Sequence, residues 1–471
     1  MKNWKVWQYL SLLSAEEKKQ IPEWMRLILG IQQQHSQKLC LFLLQQPEAP
    51  TQETAWKYLY PDQPFRPVRL RHLSEKVTQL LTQYLQWRQF QRRTSLQDEC
   101  LLAELHHRHA SELFKLAQRK QARQIPDPTA WDHEVSRAQY QKAWIIESHY
   151  ENHQPQASNL SHLVELYAHD QLWEYVWLQI ALANAARKRQ KVSSKALDHI
   201  DPADWERQAR AMQSSLMDLH LDILSVLRGT HVLDDALIEG FWMQQDAMSP
   251  ATAAQLTKVL VNLLRQNYGQ TRDPLIGRQW ANFMQRGIES QHLLEEGQLS
   301  PVLLKNLVTI LLILDDAETA RAVVTNYLSL VPAEEQEDVG IFNHANIDFH
   351  TGAYGEVIRS LRERRYGFSD IFYTLNARML FLQAHYEQGE GNREESYDWF
   401  LGEIHNFRRF VRAQKSIAAP HKERYKRFLS GLRSLLRTEN HTQLQELHDQ
   451  LLEQRQVSGL SWLLQKIKEK Q

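Results

Sequence analysis

The sequence predicts an all-α protein, and three observations carry the prediction. Gly and Pro together supply 31 of 471 residues. That is about half their average combined usage, too few for the turns of a β-sandwich or a Rossmann fold. Apolar residues recur at helical spacing: Leu80, Leu81, Tyr84, Leu85 and Phe90 form one stripe, and Leu216, Leu219, Ile223, Leu224 and Leu227 form another. Alternating runs of the strand type are almost absent. At roughly 150 residues per domain, the length corresponds to about three domains or one long repeat array. Lys plus Arg and Asp plus Glu balance at 56 each, so bulk charge names no partner.

Along the chain the elements follow from local chemistry. The opening MKNWKVWQYLSLLSAEEKK has an apolar run broken by Gln8 and Ser11 that leads into Glu16 and Glu17. No small-residue cleavage site follows, so the segment reads as helix and not as a signal peptide. Gln46 to Thr51, Ile125 to Pro128 and Asn152 to Ser158 read as short loops between helices. Asp201-Pro202 and Ser300-Pro301 are helix starts, and Gly229 is the residue after a helix end. The run from Val302 to Leu314 is interrupted by Lys305 and Asn306 and is too short for a membrane span, so it reads as a buried helix. Cys40 and Cys100 belong to no CxxC pair, which argues against a disulfide framework or a thiolate zinc site and fits a reducing, cytoplasmic setting. The expected division is an N-terminal helical domain over 1–95, an array of helical hairpins over 96–240, a repeat region over 241–440 and C-terminal capping helices over 441–471.

The repeat region rests on a spacing. Asp315, Gly352 and Gly389 stand 37 residues apart, each between two helical runs. In the middle unit, Ile341 to Leu361, Ala345 is the small residue where two helices approach, Gly352 and Tyr354 occupy the turn, Val357 is the second small position and Leu361 the packing position after it. Leu307, Leu311, Ala320, Val324, Tyr327 and the closing Pro332 correspond in the unit before, and Ala377 to Phe400 corresponds in the unit after with one inserted residue. These positions resemble tetratricopeptide repeats, most clearly over residues 300–400. His344 and Asp348 replace a large apolar residue and an aromatic one, and the period is 37 where about 34 is usual. The resemblance implies a right-handed α-solenoid of helical hairpins. Stacked pairs bury faces that no pair can bury alone, and they leave an extended concave surface of the kind that binds peptides or proteins.

Residues 57–90 are different in character. Pro61, Pro64 and Pro67 force an extended turn before a long helix. Leu59 to Asp62 followed by Arg69, Arg71, Leu73, Ser74, Val77, Leu80 and Leu81 resembles the helix-turn-helix of bacterial regulators that carry a helical-repeat activator domain. In that family the basic helix reads DNA. The segment lacks strands for a wing and is also similar to bacterial helical proteins without an assigned activity, so a structural N-terminal cap is the other reading.

No catalytic motif stands out. His106 and His109 share a helix face, but no neighbouring carboxylate or thiolate set completes a metal site. His169-Asp170 and His448-Asp449 match the dipeptide of helical metal-dependent phosphohydrolases, which short dipeptides do by chance. Arg66 with His72 and Arg378 with His385 match a loose spacing found in all-helical ribonucleases, and surface exposure is their ordinary explanation. Phosphate-binding loops, dinucleotide fingerprints and zinc helices are missing from the sequence. No cofactor and no metal are expected.

Charge is segregated although it sums to zero. Gly402 to Arg437 holds ten Lys or Arg against two Glu, Glu289 to Asp338 holds ten acidic residues against two basic, and Trp56 to Arg93 holds eight basic against two acidic. Phe407, Phe410, Tyr425 and Phe428 alternate with Arg408, Arg409, Arg412, Arg424 and Arg427 in the first of these. Such rings either stack bases or face a core while the cations face water.

The leading expectation is therefore a non-enzymatic scaffold that binds a protein or peptide along a concave face through Asn343, Asn346, Tyr373, Arg378 and Tyr386. The alternative is a nucleic-acid-binding regulator using 57–93 and 402–437, with Arg69, Arg71, Arg408, Arg409, Arg412, Arg424 and Arg427 as polyanion contacts. A weaker alternative is an all-helical ribonuclease using Arg378 and His385. Self-association of the acidic and basic blocks is a further expectation, and membrane association is not expected.

Overall fold

A computed structural model describes residues 4–29, 34–46, 48–122, 131–151, 157–187, 201–364, 367–368, 370–389, 394–415, 417–438, 440–454 and 457–471. The loop expected at Ile125 to Pro128 and most of the one at Asn152 to Ser158 lie outside them. The described residues form 23 α-helices and one short hairpin. In chain order the helices are α1 (Lys5–Ser11), α2 (Ala15–Leu29), α3 (Gln34–Leu44), α4 (Gln52–Leu59), α5 (Pro67–Arg92), α6 (Thr94–His107), α7 (Ser111–Ala122), α8 (His133–Glu151), α9 (Ala157–Arg187), α10 (Pro202–Ala211), α11 (Ser215–Arg228), α12 (Asp235–Gln244), α13 (Pro250–Thr271) and α14 (Pro274–Glu289). After strands β1 (Leu294–Glu295) and β2 (Gln298–Leu299) come α15 (Pro301–Ile313), α16 (Ala317–Tyr327), α17 (Gln336–His350), α18 (Tyr354–Leu361), α19 (Ile371–Glu387), α20 (Glu394–Ala413), α21 (Ala419–Arg437), α22 (His441–Gln454) and α23 (Leu460–Lys470). Two compact units divide the chain: unit 1 takes residues 1–181 and 193–221, and unit 2 takes 182–192 and 222–471.

Helix starts account for much of the scarce proline. Pro67, Pro202, Pro250, Pro274 and Pro301 each open a helix, where the missing N–H has no intrahelical partner to lose. Asp201, Asp234, Ser249, Asp273, Asp316 and Asp370 cap helices by accepting from backbone N–H groups two or three residues further on, each worth about 1 kcal/mol.

In unit 1, α5 is the spine of one core. Leu70, Ser74, Val77, Leu81 and Tyr84 are buried along one face, so the apolar stripe begins ten residues before the Leu80 expected from sequence. Val6, Leu10, Ile21, Leu39, Leu43 and Trp56 pack against it. The polar groups in this core are satisfied: Ser74 Oγ accepts from Trp4 Nε1 at 3.2 Å and donates to Leu70 O, and Trp56 Nε1 donates to Gln63 O at 3.0 Å.

Unit 2 is built from consecutive helix pairs. α13 packs on α14, α15 on α16 and α17 on α18; α15 and α16 also contact α17, and α17 and α18 contact α19. The first helix of each pair ends on a left-handed residue: Gly229 (φ 80°), Arg272 (φ 56°), Asp315 (φ 60°), Gly352 (φ 81°) and Gly389 (φ 78°). The first three stand 43 residues apart and the last three 37 apart. At Gly229, Asp315 and Gly352 the following residue's N–H reaches back five positions, Thr230 to Ser225 O, Asp316 to Leu311 O and Ala353 to Asp348 O, at 2.8–3.0 Å. This closure satisfies carbonyls that the helix end leaves open. Ala345, Val357 and Leu361 are buried, as are Leu307, Leu311, Ala320 and Val324. Helices α19 to α23 share one core around Phe400, Phe407, Phe428, Leu432, Leu451 and Leu463. The single hairpin turns on Glu296 and Gly297, both at positive φ, the geometry of a tight two-residue turn.

Candidate functional site

The five residues expected on a concave face sit on α17 and α19, and three of them are buried. Asn343 is wholly buried, with Nδ2 donating to Val339 O at 2.8 Å. Tyr373 Oη donates to Pro301 O at 2.8 Å, its ring meets Phe342 edge-on at 5.0 Å, and burial pushes its phenol well above the usual range. The Arg378 guanidinium lies 4.0 Å from the centre of the Phe410 ring and 5.9 Å from that of Phe407, a cation–π clamp between α19 and α20. Asn346 and Tyr386 are half-buried, and the Tyr386 ring meets Trp462 edge-on at 5.4 Å. His385 is buried as well, with Phe381 at 4.3 Å and Trp399 at 4.6 Å. The surface exposure expected for Arg378 and His385 is thus corrected: both lie inside, because α20 folds its aromatic face over α19.

Of the basic residues in the amino-terminal segment, Arg69 and Arg71 are exposed. Arg69 lies 4.6 Å over the Tyr60 ring, while Arg71 approaches Glu75 at 3.9 Å and borders a 550 Å³ cleft with Lys5, Gln52 and Glu75.

The acidic and basic blocks of unit 2 behave unequally. In the acidic block, Glu295 pairs with Lys258 at 2.7 Å, Asp316 with Arg278 at 2.7 Å, and Glu337 and Asp338 with Arg364 at 2.7 and 2.9 Å. His350 Nε2 lies 2.9 Å from Asp315. These partners all come from outside the block, and Lys258, Arg278 and Arg364 engage four of its ten carboxylates. The basic block is arranged differently. Arg408 Nη2 donates to Ser430 Oγ at 3.0 Å, while Lys426 and Arg427 share Glu423 at 3.5 and 3.8 Å. Arg409, Arg412, Arg433 and Arg437 are exposed, and none of the four has an ion pair among the described residues.

Helical geometry assembles these cations. With about 100° per residue, Arg408, Arg409 and Arg412 lie on one side of α20, and Lys426, Ser430, Arg433 and Arg437 lie on one side of α21. The Arg408–Ser430 bond joins the two sides. Arg424 and Arg427 point elsewhere: Arg427 donates to Gln454 O at 3.2 Å, and Arg424 is one turn before it on the same side. The rings between the cations face inward, Phe407 at 2 %, Tyr425 at 7 % and Phe428 at 0 % exposure, so this segment offers a charged face and no stacking platform.

Unit 1 contains a buried polar cluster that sequence reasoning missed. Asp132 and Ser136 are wholly buried where α8 begins, and Ser136 Oγ lies 2.8 Å from His169 Nδ1. Glu174 pairs with Arg137 and, at 3.2 Å, with His133. His220 is fully buried, with Nδ1 2.6 Å from Leu216 O and the rings of Trp173 and Trp177 edge-on at 4.9 and 5.3 Å. The Leu216 carbonyl can only accept, so His220 Nδ1 carries the proton. Burial lowers both His169 and His220 to about 4, and raises the Asp170 carboxyl with help from neighbouring Glu174. Neutral imidazoles with these partners tie helices together. No set of three or more His, Cys, Asp or Glu among the described residues is placed to hold a metal ion. His106 Nδ1 meets His149 Nδ1 at 3.0 Å, while His109 lies past the end of α6 at φ 54°.

Both cysteines are free, with Cys40 buried and its thiol pushed up to about 12. Among the described residues no helix is long and apolar enough to cross a membrane. Compared with known proteins, the chain matches no protein-family model, no curated protein and no solved structure.

Proposed function

We propose that the chain is a non-enzymatic helical-repeat scaffold whose unit 2 is a right-handed α-solenoid of tetratricopeptide-like hairpins and binds a protein partner. The observation that carries this reading is the regular closure of α11, α13, α15, α17 and α19 on left-handed residues at intervals of 43 and then 37. A repeated turn between repeated helix pairs is how solenoids propagate, and the stacked first helices form the surface on which such proteins hold their ligands. The half-buried Asn346 and Tyr386 stay in the proposed contact set, whereas Asn343, Tyr373 and Arg378 act from inside, holding the helices that present it.

A second reading, a nucleic-acid-binding regulator, draws support from the exposed Arg409, Arg412, Arg433 and Arg437 of α20 and α21 and from the exposed Arg69 and Arg71. One experiment separates the two. Affinity purification of the full chain from its native host, with and without nuclease, is expected to retain the same proteins in both arms. Loss of every bound protein after nuclease would favour the regulator.

A further inference from the structure

In the acidic block of unit 2, Glu295, Asp316, Glu337 and Asp338 pair with Lys258, Arg278 and Arg364, whereas Arg409, Arg412, Arg433 and Arg437 have no ion-pair partner among the described residues. We infer that the face formed by Arg408, Arg409 and Arg412 of α20 with Arg433 and Arg437 of α21 docks an acidic helix of the partner protein. The inference rests on the scaffold reading and adds the partner's chemistry and the place where it binds.

Two features favour carboxylates on a helix over nucleic acid. Single strands are held by stacking as well as charge, and here Phe407, Tyr425 and Phe428 are in the core while Phe410 is covered by Arg378. Finally, Arg409 and Arg412 are three residues apart and Arg433 and Arg437 four apart. Side chains so spaced are roughly 5–6 Å apart, which is also the spacing of Glu residues at i, i+3 and i+4 on a partner helix. Arginine suits the role because its planar fork meets a carboxylate through two parallel hydrogen bonds.

The test uses a labelled Ala-rich peptide carrying Glu on one helical face, a peptide of the same composition with Glu distributed all round, and a labelled DNA duplex. Each is titrated at physiological salt into the full chain and into the Arg409→Gln/Arg412→Gln/Arg433→Gln/Arg437→Gln variant. The one-face peptide is expected to bind most tightly. The four substitutions should weaken it about tenfold or more, the sum of four exposed ion pairs, with the melting temperature unchanged. Tighter binding of the duplex, or equal binding of the two peptides, overturns the inference. Undiminished peptide binding by the variant also overturns it while leaving a protein-binding scaffold intact. The scaffold reading fails separately, through the nuclease-treated purification.

Discussion

At the scale of single residues, burial decides what each side chain does. Phe407 is 2 % exposed beneath the arginines of α20, so Phe407→Ala should cost about 3–5 kcal/mol by leaving a cavity. Arg409→Gln, at an exposed position a short way along the same helix, should stay within ~0.5 kcal/mol. Urea unfolding of both variants checks the pair; equal stabilities would mean that the aromatic face is not the core face. Ala345 is 1 % exposed, and Ala345→Trp should lose about 1–3 kcal/mol by overpacking, read as a lower Tm. His220 links stability to pH. Its folded-state value, lowered by burial to about 4, lies below the unfolded value near 6.5. Between these the unfolded chain binds a proton that the folded one does not, so stability is full above about pH 6.5 and falls as the pH drops toward 4, by on the order of 3 kcal/mol. His169 adds a loss of the same sign. Urea midpoints for His220→Phe at pH 7 and pH 5 should differ less than those of the parent chain, and an unchanged difference would show that His220 takes up no proton on unfolding. Apolar residues such as Leu81 and Leu224 were legible in the sequence because helical period alone assigns them a face, and Ala345 and Leu361 because they fall on packing positions of the repeat pattern the segment resembles. Asn343, Tyr373 and Arg378 were not, since a polar side chain on a helix reads as solvated until its distant partner is known. For Tyr373 that partner is the Pro301 carbonyl, 72 residues away.

At the scale of elements, helix ends carry the most information. A left-handed residue after a helix favours glycine, and Gly352 has open space where a Cβ would lie. Gly352→Ala should therefore cost about 1–2 kcal/mol through backbone conformation alone, with no packing contribution. Thermal unfolding measures it, and an unaltered Tm would mean that the α17–α18 turn is not left-handed. The 37-residue interval was readable because Gly352 and Gly389 mark it. The 43-residue interval was not, because Arg272 occupies its middle position, and arginine carries no turn signal. The hairpin of β1 and β2 escaped notice for a related reason: Glu296-Gly297 is flanked by two-residue strands, too short to show alternation. Helix starts at Asp201-Pro202 and Ser300-Pro301 were plain from capping chemistry, although Ser300 makes no side-chain capping bond.

At the scale of the whole molecule, the all-helical class was written in composition and periodicity, whereas the candidate site was only half visible. Charge counts located the basic segment, but which cations share a face depends on how α20 lies against α21, and that brought in Arg433 and Arg437 while turning Arg424 and Arg427 aside. The polar cluster of unit 1 draws on residues from Asp132 to His220 and is assembled only by folding. In unit 2 the proposed scaffold makes one strong demand: a partner must engage the stacked helices. Hydrogen–deuterium exchange of the full chain, alone and with the protein retained after nuclease treatment, tests this most directly. The account predicts slowed exchange in α17, α19, α20 and α21, with residues 1–181 unaffected. Protection confined to residues 1–181, with unit 2 exchanging as in the isolated chain, would contradict it.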